Sequence, residues 1–328
     1  MSDRLDLLAR TYDVLRAPIA LLDPSVLHRP TPCSEWNVQQ VFDHLVGAID
    51  MFAGAAGASA PHTAVDPAPT ARFGAATERS LAAWRSHEDP GATLSLPFGD
   101  FPADFVMAMN QLDSLVHGWD LAAALGIPLH VPAELVEAAQ DTARMSVPPS
   151  RGHAFGAEMA APSDDALERL VAFTGRDPAV WPGAIWIGGS LVTVKPTIGD
   201  GNTASAVEIW EREGSGPPQH VHSEHDEIWY VLEGRFTFLI GDNHVQATAG
   251  DVIVGPRRLP HTFRADSSDA RLLDIHSPGG FEHFFVQAGR PASSLVPPPK
   301  STETNPAEMR AGIESFGATV VGPPLGGR

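Results

Sequence analysis

The sequence predicts a two-domain α + β chain: an N-terminal four-helix bundle over residues 1–178, then a small all-β barrel or sandwich over 179–328. Three observations predict it. Apolar residues recur at three- and four-residue spacing through the first 150 residues, the period of one buried helix face. Beyond Pro182 the period falls to two, in short β-branched and aromatic runs set apart by Gly, Pro, Asn and Asp. A length of 328 residues suits about two domains at roughly 150 residues each.

The elements follow in order. Leu, Val and Ile at helical spacing predict a first helix over 4–22. A second begins after Trp36, with Asn37 as its cap and Gln40 where a capping-box partner belongs, and runs through Val41, Leu45, Val46, Ile49 and Phe52. Small residues, Pro and Ser make 57–70 a loop. A third helix is expected over 71–86 and a fourth over 103–125, closed by Gly126 as C-cap. A shorter helix fits 132–145. The apolar stripes suit an up-down bundle. Strands are expected over 185–194, 205–211, 227–232, 236–240 and 271–275, with the joint between the halves in 175–178. After Gly289 comes a Pro-rich stretch, 296–300, and one helix, expected to wrap the barrel or to pair it with a second copy. There is no internal repeat of 20–50 residues.

Composition removes several classes of function. With 22 Lys and Arg against 40 Asp and Glu, the net charge of −18 repels phosphate backbones and anionic membrane surfaces. No apolar run reaches a membrane-spanning length. The charged start does not read as a signal peptide. Cys33, the single cysteine, excludes a disulfide framework and a Cys-rich metal site. Gly and Pro number 30 each, so turns are frequent. No Walker loop, GxGxxG before a helix or Ser-His-Asp order stands out, so no nucleotide cofactor is implied. A cytoplasmic protein with a small-molecule substrate is expected. The 14 histidines then stand out, several at ligand-like spacing.

In the β half, His220 and His222 are two apart and share one face of a strand. Glu227 follows, and His261 lies downstream in GDVIVGPRRLPH. Three imidazoles and a carboxylate suit Zn, Fe, Mn, Ni or Cu and leave positions open for substrate or O2. His225 reads as a solvent-facing loop residue, and His276, ending a strand, as either a surface residue, the preferred reading, or a support standing behind the metal ligands.

These residues resemble the cupin family. Its first motif, G-x5-H-x-H-x4-E-x6-G, is met by Gly214, His220, His222, Glu227 and Gly234. Gly250, Pro256 and His261 match its second, in which Arg258 stands for the motif glycine and Ala265 for its asparagine. The resemblance covers about 183–290 and implies a double-stranded β-helix barrel with a metal held by His220, His222, Glu227 and His261. The stretches AIWIGGSLVTVK, HVHSEHDEIWYVLEG, ARLLDIHSPGGFEHFF and GATVVGPPLG resemble the quercetin-dioxygenase-like group. That group implies O2 chemistry on an enol, phenol or 1,3-dicarbonyl, with Glu227 as catalytic carboxylate. Isomerases and decarboxylases use the same open site.

In the helical half, Asp113 and His117 are i and i+4 on the fourth helix, and His44 lies on the second. Such a pair plus a ligand from a facing helix makes a half-open metal site. PTPCSEWNVQQVFDHLVG, DSLVHGWDLAAALG and FGAEMAAPSDDALERLVAFTGRDP resemble the mycothiol-dependent maleylpyruvate isomerase N-terminal family, a group of DinB-like metalloenzymes. This resemblance covers about 5–178. It implies a second divalent metal, often Zn, on His44, Asp113 and His117, and an open position for a low-molecular-weight thiol. Trp36 and Trp119 read as core anchors, Asp120 as a structural tie to a neighbouring helix, the preferred reading, or as a support behind the metal ligands, and Cys33 as a small packed residue.

Three readings follow. The first is a cupin oxygenase acting on a small hydroxylated molecule, with the bundle as accessory. The second is a thiol-dependent isomerase or transferase centred on the bundle. The third is a non-enzymatic small-molecule or metal-binding protein. A homodimer through exposed sheet edges is the expected assembly.

Overall fold

The computed structural model describes residues 2–33, 35–60, 68–87, 89–181, 183–195, 203–299 and 306–326. The chain divides into two compact units. One comprises Met1–Ala124 with Leu129–Trp181, the other Leu125–Pro128 with Pro182–Arg328. The first unit runs on past residue 178 because Trp181 packs on the helical core.

The helical unit is built from α1 (Ser2–Ala20), α2 (Val38–Ala55), α3 (Pro69–Ser86), α4 (Ala103–Leu125), α5 (Ala133–Ser146) and α6 (Ala166–Phe173). Asn37 and Gln40 form the expected capping box at α2: Gln40 N–H donates to Asn37 Oδ1 at 3.0 Å and Asn37 N–H to Gln40 Oε1 at 2.9 Å. α4 is apolar nearly all round and therefore central. On one side it meets α1, where a Cβ on Gly118 would come within 2.5 Å of Leu15. There Asn110 Nδ2 donates to Tyr12 Oη at 2.9 Å, and Tyr12 Oη lies 3.0 Å from Ser80 Oγ, a buried polar tie between α1, α3 and α4. On its other side Leu112, Leu115 and Trp119 pack with Val136 and Ala139 of α5 and Leu170 and Val171 of α6. The bundle therefore exceeds four helices.

Two elements exceed the sequence expectation. α6 has a readable cap, since Asp165 Oδ1 accepts from the N–H groups of Leu167 and Glu168. A hairpin, β1 (Thr93–Leu96) with β2 (Gly99–Pro102), precedes α4. Of the loop expected over 57–70, residues 61–67 lie outside the described residues.

The second unit contains β3 (Ile185–Ile187), β4 (Ser190–Lys195), β5 (Ser205–Glu211), β6 (Pro218–His222), β7 (Asp226–Glu233), β8 (Arg235–Ile240), β9 (Asn243–Thr248), β10 (Val252–Gly255), β11 (His261–Ala265), β12 (Arg271–Ser277), α7 (Glu282–Ala288), β13 (Arg290–Pro291), α8 (Pro306–Ser315) and β14 (Ala318–Pro324). One sheet has the order β10-β7-β12-β5-β4-β3-β13 and the other β14-β6-β11-β8-β9. Their inner faces meet through aromatic rings, with Trp229 of β7 5.1 Å from Phe238 of β8. The tail wraps the unit: β14 pairs with β6, and Phe316 meets Phe284 of α7 at 6.2 Å. β6, β9, β10 and β11 are short or polar, which is why period alone does not find them.

Close packing fixes two motif positions. Gly234 turns β7 into β8 at φ +73°, and a Cβ there would lie 2.7 Å from Ala270 Cα. Arg258, standing for the motif glycine, is the non-glycine residue among those described with positive φ, at +65°. Its N–H donates to the His222 carbonyl at 2.7 Å, so the loop holds this conformation whatever the side chain. The left-handed region costs an L-residue about 1–2 kcal/mol. Part of that is returned because glycine widens the unfolded ensemble. Arg258→Gly is therefore expected to stabilise the β unit by about 0.5–1 kcal/mol, read as a higher urea midpoint at unchanged slope.

Candidate metal centres

Strand register gathers the first cluster. His261 of β11 pairs directly with His220 of β6, and β6 alternation puts His222 on the same inner face. Glu227 enters from β7 in the facing sheet. The four side chains are buried. Glu227 Oε2 lies 2.9 Å from His261 Nε2, 3.1 Å from His222 Nε2 and 3.7 Å from His220 Nε2. Yet among the described residues His222 Nε2, His261 Nε2 and Glu227 Oε2 have no hydrogen-bond partner. They converge on a common point instead of bonding one another.

The ring orientations have causes. His220 Nδ1–H donates to the Pro218 carbonyl at 2.8 Å and His261 Nδ1–H to the Leu259 carbonyl at 2.9 Å. With the proton on Nδ1, each Nε2 lone pair faces the carboxylate. A positive charge must sit among them, as protons on the rings or as a metal ion. Protonated rings would hold Glu227 well below the usual carboxylate range, against the burial that raises it. Burial, however, lowers the His222 pKa and favours its neutral form. Neutral nitrogens and a carboxylate with aligned, unspent lone pairs are the donor set of a divalent transition metal.

The centre opens on a cavity of about 1080 Å3 that His220 and Glu227 line. Phe263, Phe281 and Phe284 give it aromatic walls, and Glu211 is polar lining. Glu211 is buried and accepts from Ser190 Oγ at 2.6 Å and from Ser215 Oγ. Burial pushes its carboxyl up, and the two serines offset this only in part. Folded Glu211 thus keeps its proton to higher pH than unfolded Glu211. Its stability contribution is full below the unfolded pKa and is lost as pH rises. Glu211→Gln mimics the protonated form. Its melting temperature is expected to match that of the parent chain at pH 4 and to exceed it by a growing margin towards pH 8.

Two histidines are more buried than the preferred reading of the sequence has them. His276 is buried, pairs with Glu227 across β12 and β7, and stacks on Phe281 at 4.3 Å. Burial lowers its pKa to about 3. His225 is half-buried, its ring 5.9 Å from that of His222. Asp274, on the same inner face as His276, carries no motif signal. Burial, then the neighbouring Glu227, pushes its carboxyl well up.

The second cluster lies in the helical unit. Asp113 Oδ1 is 3.5 Å from His44 Nε2 and 3.7 Å from His117 Nε2. Asp113 Oδ2 is buried without a hydrogen-bond partner among the described residues. One turn on, Asp120 Oδ2 accepts from His117 Nδ1 at 2.9 Å, which turns Nε2 towards Asp113. Arg176 clamps Asp120 in turn, through Nε at 3.1 Å and Nη2 at 2.8 Å. Burial would raise the Asp120 carboxyl, but Arg176 and His117 hold it at about 2. Arg176 comes from 56 residues away, with no sequence signal linking the two. Trp36 is half-buried, its ring 4.7 Å from His44 and 5.9 Å from His117; it walls this site rather than anchoring the core. Trp119 is a core residue as expected. Burial raises the Cys33 thiol, which does not suit a thiolate.

Among the described residues no helix is long and apolar enough to cross a membrane. Comparison with known proteins agrees with both halves. Residues 8–122 match the mycothiol maleylpyruvate isomerase N-terminal domain and residues 207–276 the cupin domain. The uncharacterized protein Rv0738 of Mycobacterium tuberculosis is 32% identical over 177 residues, 51% of this chain and 94% of its own length. Quercetin 2,3-dioxygenase of Bacillus subtilis is 33% identical over 79 residues, 24% of this chain and 23% of that enzyme. The Aspergillus japonicus quercetin 2,3-dioxygenase is 26% identical over 125 residues, 37% of this chain and 36% of its own. Against both dioxygenases the match spans well under half of the enzyme. With a helical bundle and a β barrel each gathering its motif residues into one cluster, the chain combines a mycothiol maleylpyruvate isomerase N-terminal domain at residues 8–122 with a cupin domain at residues 207–276.

Proposed function

We propose that the β unit is a metal-dependent oxygenase acting on a small hydroxylated molecule, a phenol, an enol or a dicarbonyl. The observation that carries this is the convergence of three imidazole nitrogens and Glu227 Oε2 without hydrogen bonds among them. His220, His222, Glu227 and His261 would hold the metal. When bound, a divalent Fe, Mn, Ni, Cu or Zn ion supplies open positions for a substrate oxygen and, where redox-active, for O2. The aromatic walls offer faces for a flat ring. Glu227, which lines the cavity, would take the proton of a docking hydroxyl. The likeness to two quercetin 2,3-dioxygenases supports this substrate class.

The test is oxygen uptake by metal-reconstituted protein with flavonols and dihydroxyphenols. Uptake is expected with a cognate substrate and is expected to vanish in His220→Ala. Full turnover of that substrate without O2 would sink the reading. Tight binding without any product would make the chain a binding protein.

A second reading has its own observation, the Arg176–Asp120–His117 relay aimed at Asp113 and His44. It supports a second divalent metal, zinc in the first instance, on His44, Asp113 and His117, with an open position for a low-molecular-weight thiol. If the reaction is centred there, turnover requires added thiol and is lost in His117→Ala.

A further inference from the structure

The interior of the β unit holds two more ligating side chains than one metal ion needs. β12 reads Arg-Leu-Leu-Asp-Ile-His-Ser, and its pattern would turn Leu273 and Ile275 inward. The fold does the reverse: Leu272, Asp274 and His276 are buried, while Leu273 and Ile275 are only partly so. Burying a carboxyl and an imidazole while two aliphatic residues face outward opposes the ordinary hydrophobic preference.

These two residues stand behind Glu227. His276 Nε2 lies 3.8 Å from Glu227 Oε1, the oxygen not shared with the three histidines. Asp274 Oδ1 lies 3.7 Å from His276 Nδ1. Both distances are too long for hydrogen bonds. Asp274 Oδ1 and His276 Nε2 are buried and have no hydrogen-bond partner among the described residues. Asp274 is 2% exposed and His276 1%. One donor atom from each of Glu227, Asp274 and His276 lies within 4.8 Å of the others. Asp274 also lines the cavity, so remaining positions there can take solvent or substrate.

A second cation here satisfies Asp274 Oδ1 and His276 Nε2 together. We propose that Glu227 bridges two divalent cations, one through Oε2 among His220, His222 and His261, the other through Oε1 with Asp274 and His276. Carboxylate-bridged pairs at about 3.5–4 Å clamp two oxygens of one substrate. That suits a vicinal diol or a hydroxy-ketone better than a monophenol. The second cation would favour the substrate oxyanion directly, leaving Glu227 to bridge. This inference rests on the three-histidine cluster being a metal site.

The test is Mn2+ binding to the full chain after chelator treatment, by equilibrium dialysis and by electron paramagnetic resonance. The parent chain is compared with Asp274→Asn, His276→Gln and His261→Ala. Comparing variant with parent cancels any ion in the helical unit. Asp274→Asn and His276→Gln are each expected to bind one Mn2+ fewer. Each should also lose an exchange-coupled signal that the parent chain shows. The ion retained among the three histidines reports that the variant is folded, and either substitution suffices if the other does not fold. Equal Mn2+ binding in parent, Asp274→Asn and His276→Gln, with signals of isolated ions only, overturns the proposal and makes Asp274 a protonated carboxyl. If His261→Ala also binds as much as the parent, the underlying metal reading fails with it.

Discussion

Arg176→Ala is expected to destabilise the helical unit by about 3–5 kcal/mol, the cost of leaving a buried carboxylate without its partner. Arg176 and Asp120 are both buried, and the guanidinium makes two hydrogen bonds to the carboxylate. Arg176 also holds the Thr174 carbonyl at the end of α6, so its loss loosens that helix against α4. For a unit of this size, about 3–5 kcal/mol corresponds to a fall in melting temperature on the order of 10 °C. Arg176→Lys keeps the charge but not the two-pronged geometry and is expected to recover only part of the loss. Calorimetry of the three proteins checks the order. A melting temperature unchanged in Arg176→Ala would show that Asp120 finds water or His117⁺ as a sufficient partner.

The sequence declares the helices and the outer limits of the strands because period and capping are local. Asn37 and Gln40, three apart, must cap a helix, and α2 starts where they say. Gly126, expected to end α4, lies at φ +73°. Period fails where function overrides it. In β6 and β12 the inward residues are His220, His222, Asp274 and His276. Motif spacing recovers the first two, with Glu227 and His261. No motif covers Asp274 and His276, and their apolar neighbours point a reader to the wrong face. In the bundle, i to i+4 spacing finds Asp113 and His117. Facing partners such as Arg176 and Trp36 meet the site only through tertiary packing, which no local pattern encodes. Arg258 shows the converse: its place in a motif that elsewhere has glycine already points to the left-handed turn found there.

The two metal centres are expected to be lost separately. Each draws all of its ligands from one unit, so His261→Ala should strip the ion held among the three histidines and leave the helical site filled, and His117→Ala should do the reverse. An outer partner of a metal ligand typically contributes 10–100-fold in affinity, and removal of a ligand itself should exceed that. His117→Ala removes a ligand and strands Asp120, whose remaining partner is then Arg176. Asp120→Asn is the finer probe: it keeps the volume and weakens the hold on His117 Nδ1, so a loss of about 10–100-fold in zinc affinity is expected there. Metal content of the dialysed full chain, by mass spectrometry with Zn2+ and Fe2+ supplied in turn, reads all three variants. A redox-active ion lost only in His261→Ala would make the barrel the centre of oxygen chemistry. Zinc lost only in His117→Ala, from a chain whose barrel stays empty after reconstitution, would move the chemistry to the bundle. The cavity above Glu227 would then be a binding pocket without a reaction.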